Sequence, residues 1–515
     1  MEHMGIVSLV PPLIAIILAV AFRNVVLSLF LGVFTGILIL SGGNPLEATI
    51  STIRDHLVPQ LTDSYNAAVI VLLMFVGGFV ALVEHSGGGA ALASRTIHYI
   101  NTRARTQIAT WLGGILIFFS DLGTPLIVGP VFEKLYDKVK VSREKLAWIL
   151  DSTSSPVAVL IPFIGWGIYI MGVIREELDR LGNSASEFDI FVQAIPFQFY
   201  AILAVVAIPV VALFGVDFGA MARAERRVRE DGEIYWPKSR PLRRTASQAE
   251  GASNESHPIL IWLPLTVLFV TLFGLLISYG FPMEPVPGST FRVALSTAYL
   301  FAAVVLIALM LIYRVKRFAD IFDTYLGGMQ RMVSVVMILV LAWALGGLLN
   351  EMGTANYIVE QLKGNVPGAL VPAIIFLAAA GMSFATGSSW GTFAIMLPLA
   401  IPMSFGLEAP LLVCIGAVLS GGIFGDHCSP ISDSTILAST GAGCDHIDHV
   451  RTQLPYALTN GSIALLSFIV AGYSQSAITV VLSLVVMIAV FALVARLQRQ
   501  RATTTVAHND TAPNH

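Results

Sequence analysis

Charge is scarce in this sequence. Of 515 residues only 12% are Asp, Glu, Lys or Arg, against about 25% in a typical soluble domain. A soluble fold of this size needs far more charge to cover its surface, so water is excluded as the main solvent. Cysteine is scarce too. Cys414, Cys428 and Cys444 make no disulfide framework. No phosphate-binding glycine loop, no His-Glu-x-x-His pattern and no Ser-His-Asp arrangement is present, which disfavours ATP-driven pumping and hydrolysis. The net charge of −3 gives no reason to expect nucleic acid as a partner.

Apolar sequence fills the space. Mean hydropathy is +0.78. Uncharged runs such as Ile259–Gly280 and Ile478–Ala495 approach the ~20 residues a helix needs to cross ~30 Å of hydrocarbon. The first residues, MEHMGIVSLVPPLIAIILAV, lack a basic leader and a small-residue cleavage site, and read as a first span. Candidate spans are 6–22, 25–41, 67–83, 144–172, 190–214, 258–280, 292–313, 332–349, 408–440, 455–473 and 478–496. Basic loops at 95–107, 134–145, 223–244 and 314–331, with the tail after Arg496, are expected on the cytoplasmic side. The N-terminus is then outside and the C-terminus cytoplasmic. The long loop carrying Arg223, Arg226, Arg227, Arg229, Lys238, Arg240, Arg243 and Arg244 reads as a solvated linker. Glu84-His85, beside Gly87–Gly89, reads as a solvated helix end.

Two segments break this pattern. Residues 108–132 lie between two basic loops and hold a single charge, Asp121. A re-entrant hairpin with its tip at Ser120-Asp121-Leu122-Gly123-Thr124-Pro125 keeps both loops on one side. The 44 uncharged residues from Gly364 to Leu407 read as a mirror hairpin with its tip at Thr386-Gly387-Ser388-Ser389-Trp390-Gly391-Thr392. Each hairpin is followed by a helix broken at an Asp and a Pro: Asp151-Ser152-Thr153-Ser154-Ser155-Pro156, and Gly425-Asp426-His427-Cys428-Ser429-Pro430-Ile431-Ser432-Asp433. The order of parts occurs twice, and five crossings per half invert the second copy. The expected fold is an all-α polytopic membrane protein, an inverted repeat with two re-entrant hairpins and two broken helices, about 11 full spans plus 2 hairpins, an architecture of secondary transporters. The expected divisions are 1–215 (first repeat), 216–257 (cytoplasmic basic linker), 258–475 (second, inverted repeat), 476–497 (an extra span) and 498–515 (a disordered tail).

An Asp at a helix centre costs roughly 2.5–3.5 kcal/mol on insertion scales, and unwound backbone in lipid leaves polar groups without partners. Both make sense if carboxylates, hydroxyls and carbonyls surround a small hard cation, which prefers oxygen ligands. Candidate ion- and proton-binding residues are Asp151, Asp426, Asp433, Asp121, Ser429, Ser388, Thr386, Ser155, Ser154 and Thr124. Helix capping competes with ion binding at each Asp, and back-bonding to the helix competes at each hydroxyl. Cys444-Asp445-His446-Ile447-Asp448-His449 fits no zinc spacing, so no resident metal and no cofactor is expected.

Several of these motifs resemble the NhaC-type sodium/proton antiporter family. They are Ser142-Arg143-Glu144-Lys145-Leu146-Ala147 running into Asp151–Ala158, Thr386–Thr392, Gly425–Thr435, and Gly443–Ala457 with its Arg451-Thr452-Gln453-Leu454-Pro455-Tyr456. The similarity covers about residues 65–475 and implies the paired-hairpin fold of the wider ion-transporter superfamily. It also implies exchange of Na⁺ for H⁺ across a bacterial or archaeal cytoplasmic membrane, with lipid and small ions as the partners. Assembly as a homodimer is compatible with it. Related members exchange organic anions such as malate and lactate, which makes a coupled carrier of a small organic acid or amino acid the alternative. At the first hairpin tip the family usually carries two adjacent acids, in a pattern like Asp-Asp-Tyr-Ala-Asn. Here Ser120-Asp121-Leu122-Gly123-Thr124 stands instead, and one carboxylate and one amide are gone.

Overall fold

The structure, a computed structural model, describes residues 3–89, 91, 100–241, 256–281, 283 and 287–509. Arg95, Arg243 and Arg244 of the expected basic loops, and residues 510–515 of the tail, lie outside the described residues. The labelled helices are α1 (Val10–Phe22), α2 (Val25–Leu40), α3 (Ser64–His85), α4 (Arg103–Leu116), α5 (Gly123–Lys138), α6 (Arg143–Ser152), α7 (Gly165–Arg180), α8 (Phe199–Phe214), α9 (Ile259–Ser278), α10 (Gly288–Ile312), α11 (Phe318–Glu351), α12 (Val371–Thr386), α13 (Ser389–Gly406), α14 (Leu411–Cys428), α15 (Asp433–Ala442), α16 (His446–Ser474) and α17 (Thr479–Asn509). Among the described residues ten helices are long and apolar enough to cross a membrane, or up to twelve with two bent pairs. The all-helical polytopic fold read from the sequence is the fold observed.

Both hairpins form. The limbs α4 and α5 pack together around a turn at 117–122, and α12 and α13 around Gly387-Ser388. Gly387 makes the second turn possible: its φ is +66°, and a Cβ there would lie 2.7 Å from the Ile431 carbonyl oxygen. Ser388 then caps α13, accepting from Gly391 N at 3.2 Å. Both broken helices form as well, with unequal gaps. The second break spans Ser429–Ser432, between α14 and α15. In the first, α6 ends at Ser152, a single turn follows at Ser155–Ala158, and α7 begins only at Gly165. Pro156 and Pro162 explain the longer gap, since each removes a backbone donor and fixes φ.

The bundle is centred on α14, whose span is 83% buried, against 22% for α17 at the periphery. Close approach between helices relies on missing side chains, as in many membrane bundles. A Cβ on Gly425 would sit 2.3 Å from the Ala380 carbonyl oxygen on α12, and one on Gly441 would sit 2.1 Å from that of Pro125 on α5. The second half's broken helix is thereby locked to the first half's hairpin.

Three loop expectations change. The loop at 314–331 is helical from Phe318, because α11 runs 34 residues. The final helix continues to Asn509, into the stretch where composition predicts disorder. The basic linker is docked rather than solvated in its described part. Arg227, 4% exposed, makes a two-pronged bond to Glu144 at 3.0 Å on both oxygens and stacks over Trp236. Tyr235 donates to the Gly443 carbonyl at 3.0 Å. Arg240 N donates to Asp445 at 2.7 Å, and Ser239 donates to Asp448. The planar guanidinium matches a carboxylate in two places at once, and this anchors one arginine of a charge-rich loop.

Candidate functional site

The two breaks meet. In the second, Ser432 Oγ donates to Asp426 Oδ1 at 2.9 Å and Ser434 Oγ to Oδ2 at 2.8 Å. Both hydroxyls belong to the start of α15, so the carboxylate of Asp426 faces a helix N-terminus, where the backbone favours negative charge. The next residue, Thr435, donates through Oγ1 to Asp151 Oδ2 at 3.1 Å. Neighbouring residues of one helical turn thus hold the two aspartates, one from each half of the chain. Asp151 is fully buried and Asp426 is 5% exposed.

Gln453, on α16, completes the arrangement. Its Nε2 donates to Asp151 Oδ2 at 2.7 Å and to the His427 carbonyl at 2.9 Å. The His427 ring lies beside it, with Nδ1 at 3.1 Å from the Tyr200 hydroxyl. His427 Nε2 and Asp151 Oδ1 face each other at 4.0 Å, and neither has a hydrogen-bond partner among the described residues. Such unpaired buried polar atoms are rare in stable structures and call for a functional reason.

The hairpin tips frame this core. Asp121 Oδ2 accepts from Trp166 Nε1 at 2.9 Å. Trp166 packs on Trp390 of the other hairpin with ring centroids 4.6 Å apart, and Tyr169 donates to the Trp390 carbonyl at 2.9 Å. Ser120 Oγ donates to Glu84 at 2.5 Å, and Glu84 pairs with Arg331 at 2.9 Å. Glu84 is therefore no solvated helix end: it brings a carboxylate from α3 to the tip that lacks a second acid of its own. Thr124 is back-bonded to Ser120 O at 2.8 Å, and Thr386 to Met382 O at 2.9 Å. Ser154 donates to Asp151 O at 3.1 Å. Ser429 is buried and accepts weakly from Ile431 N at 3.4 Å, and Ser155 is buried at the first position of its short helix. Asp433 is exposed, in the first turn of α15.

Comparison with known proteins fits this geometry. The profile of the Na⁺/H⁺ antiporter family matches residues 157–473. The chain belongs to that family. An uncharacterized protein of Haemophilus influenzae is 32% identical over 91% of each chain. The malate-2H⁺/Na⁺-lactate antiporter of Bacillus subtilis is 34% identical over 30% of this chain and 33% of its own. Among solved structures, the YdaH transporter of Alcanivorax borkumensis superposes with a TM-score of 0.56 at 13% identity, over 83% of this chain and 88% of that one; it shares the fold.

Within this antiporter-family chain, the stretch Ser142–Lys145 works as an anchor. Ser142 caps α6, accepting from Lys145 N at 3.1 Å. Arg143 bonds Asp137 at 2.6 and 2.7 Å, Glu133 at 2.8 Å and the Ala442 carbonyl at 3.0 Å. Glu144 holds Arg227, and Lys145 pairs with Asp217. Three buried charges are each paired, and together they tie α6, α5, the end of α15 and the linker into one face.

The structure brings the sequence candidates Asp151 and Asp426 into one hydrogen-bonded set, whose direct partners Ser432, Ser434, Thr435 and Gln453, with the adjacent His427, sequence reasoning passed over. A signal existed for Gln453: His446, His449 and Gln453 stand at i, i+3 and i+7, one face of a helix.

Proposed function

We infer that the protein exchanges Na⁺ for H⁺ across the cytoplasmic membrane by competition at Asp426 and Asp151. The observation that carries the reading is the joining of these two carboxylates, from opposite halves, through the adjacent hydroxyls of Ser434 and Thr435. Na⁺ takes the ionised carboxylates together with the Ser432 and Ser434 hydroxyl oxygens, an all-oxygen set suited to a hard cation. Ser429, Ser388, Thr386, Ser154 and Ser155 supply further oxygens from the breaks and tips as these move. A proton on either Asp removes the charge that Na⁺ needs and expels it. Asp121, at the first hairpin tip, and Asp433, in the first turn of α15, are the further carboxylates of this reading. The face bearing Arg143, Lys145, Arg227 and the linker is cytoplasmic, because positive residues are retained there.

The alternation of access is supported by two close contacts. A Cβ on Gly114 of the first hairpin would touch Thr153 at 2.1 Å, and the tip at Gly387 rests on Ile431. Each hairpin is packed against a break, and on this reading the two move together. The test is Na⁺-dependent dissipation of ΔpH in proteoliposomes. Asp426→Asn and Asp151→Asn are expected to abolish it; wild-type exchange by both variants refutes the site.

The relative named for malate and lactate supports a second reading, exchange of a small organic acid together with ions. Labelled malate or lactate uptake driven by a Na⁺ gradient, with no exchange in its absence, favours that reading over the first.

A further inference from the structure

One buried cluster on the linker face lies outside the aspartate pair. Ser439 Oγ stands 2.9 Å from His449 Nδ1 and 3.2 Å from His446 Nδ1. The hydroxyl donates to the Thr435 carbonyl at 2.8 Å. On the far side, His446 Nε2 lies 2.7 Å from the Pro430 carbonyl, and His449 Nε2 lies 3.0 Å from Gln453 Oε1. His446 is partly exposed, whereas His449 and Ser439 are fully buried.

Counting protons makes the cluster informative. Gln453 points its nitrogen at two acceptors, Asp151 and the His427 carbonyl, which fixes its oxygen towards His449. His449 Nε2 must therefore donate. His446 Nε2 faces a carbonyl and must donate too. A neutral imidazole carries one N–H, so with both rings neutral both Nδ1 atoms are acceptors. The single Ser439 proton is taken by the Thr435 carbonyl at 2.8 Å, so with both rings neutral neither Nδ1 has a donor, and that of His449 is fully buried. One added proton changes this: the charged ring donates Nδ1–H to Ser439 Oγ, and the hydroxyl turns its own proton from the Thr435 carbonyl to the other ring. A second proton would place two cations across one hydroxyl.

The surrounding charges fit a single positive charge here. Asp151 (α6) reaches the cluster through Gln453. Asp426 and His427 (α14) lie behind it, and Asp433 heads α15. Asp445 and Asp448, on the cluster's own helix, are engaged by Arg240 N and Ser239. Glu144 is matched by Arg227, Glu133 and Asp137 by Arg143, and Lys145 by Asp217. Tyr200 is the ionisable group of α8 nearest the site, Arg451 lies further along α16, and α12 brings none.

We propose that His446, Ser439 and His449 form a one-proton loading site between the linker face and Asp151, holding the proton that displaces Na⁺. The proposal rests on the exchange reading above. A proton from water binds His446, passes through the Ser439 hydroxyl to His449, and reaches the Asp151 carboxylate when the Gln453 side chain turns aside. Gln453 is the gate, because an amide holds both neighbours in register but does not relay a proton in its ordinary tautomer.

Two measurements test this. In ¹⁵N-histidine NMR of the protein in nanodiscs, His446 and His449 should titrate together in a single one-proton step, and Ser439→Ala should split them into two independent titrations. Independent titration in the wild type, or no effect of Ser439→Ala, overturns the proposal. In proteoliposomes, Ser439→Ala and His446→Ala should slow Na⁺/H⁺ exchange roughly 10- to 100-fold, the scale of a lost proton-transfer group, while Na⁺/Na⁺ counterflow keeps its wild-type rate. Equal loss of counterflow assigns the residues to packing and also overturns it. The NMR titration needs no transport, so a wild type that moved no Na⁺ against protons would sink the exchange reading and leave the loading site to be judged on its own titration.

Discussion

Replacing Gln453 by Leu removes one side chain from three hydrogen bonds at once. Asp151 Oδ2 loses its 2.7 Å donor and keeps only Thr435 Oγ1 at 3.1 Å, the His427 carbonyl loses its 2.9 Å donor, and His449 Nε2 its 3.0 Å acceptor. All three groups are buried, so water does not freely replace the amide. An unmet buried polar group costs about 1–3 kcal/mol in soluble proteins, and interhelical hydrogen bonds in membranes average nearer ~0.6 with a maximum near ~1.7. Three such losses give a destabilisation of roughly 2–5 kcal/mol. Thermal unfolding in detergent measures it. Gln453→Glu separates stability from function. The introduced carboxyl faces Asp151: ionised it repels, protonated it donates in place of the amide. Exchange by that variant should therefore be weak at high pH and recover as the pH falls. A Gln453→Leu protein as stable and as active as wild type, or a Gln453→Glu protein with an unchanged pH profile, refutes the reasoning.

Gly441→Ala forces a methyl group towards the Pro125 carbonyl at 2.1 Å; backbone must move, and overpacking of about 1–3 kcal/mol should appear in thermal unfolding together with slowed exchange. Arg227→Ala leaves Glu144 buried without its guanidinium, for an expected loss of about 3–5 kcal/mol, and joint replacement of both residues by Met and Leu should recover much of it. Arg331→Ala should cost less than about 1 kcal/mol, since that side chain is 56% exposed and its ion pair is screened. Glu84→Ala should cost more, because it also strips Ser120 of its 2.5 Å acceptor, and the excess is read from the difference in unfolding between the two variants.

Much of this architecture is legible in the sequence because lipid imposes few solutions. Runs without charge become helices, and an Asp beside a Pro in such a run has to be a break. The hairpins follow from the same logic, since basic loops on both sides of 108–132 leave no room for a single crossing. What stays hidden depends on contacts between distant segments. Ser388 and Thr386 are candidate ligands in sequence, and in the structure one caps α13 and the other back-bonds to Met382, while the hydroxyls that meet Asp426, Ser432 and Ser434, come from the start of α15. Glu84 lies 36 positions from Ser120, and nothing local announces that meeting. The docking of Arg227 on Glu144 was equally invisible, because a charge-rich loop carries no mark of which of its arginines will be desolvated.

The placement of Ser434 and Thr435 on consecutive peptides also bears on leakage. A carrier that let its proton-binding and cation-binding halves change independently would dissipate the gradients it uses, by slipping empty or half-loaded. Here the two carboxylates are read by neighbouring links of one short rod, the start of α15, which is wedged against Pro125 at its other end. Tilting that rod changes the surroundings of both carboxylates in the same movement. On the exchange mechanism proposed above, thermodynamic coupling is a matter of stiffness over a single helical turn, and softening that turn is expected to make the transporter wasteful before it makes it slow.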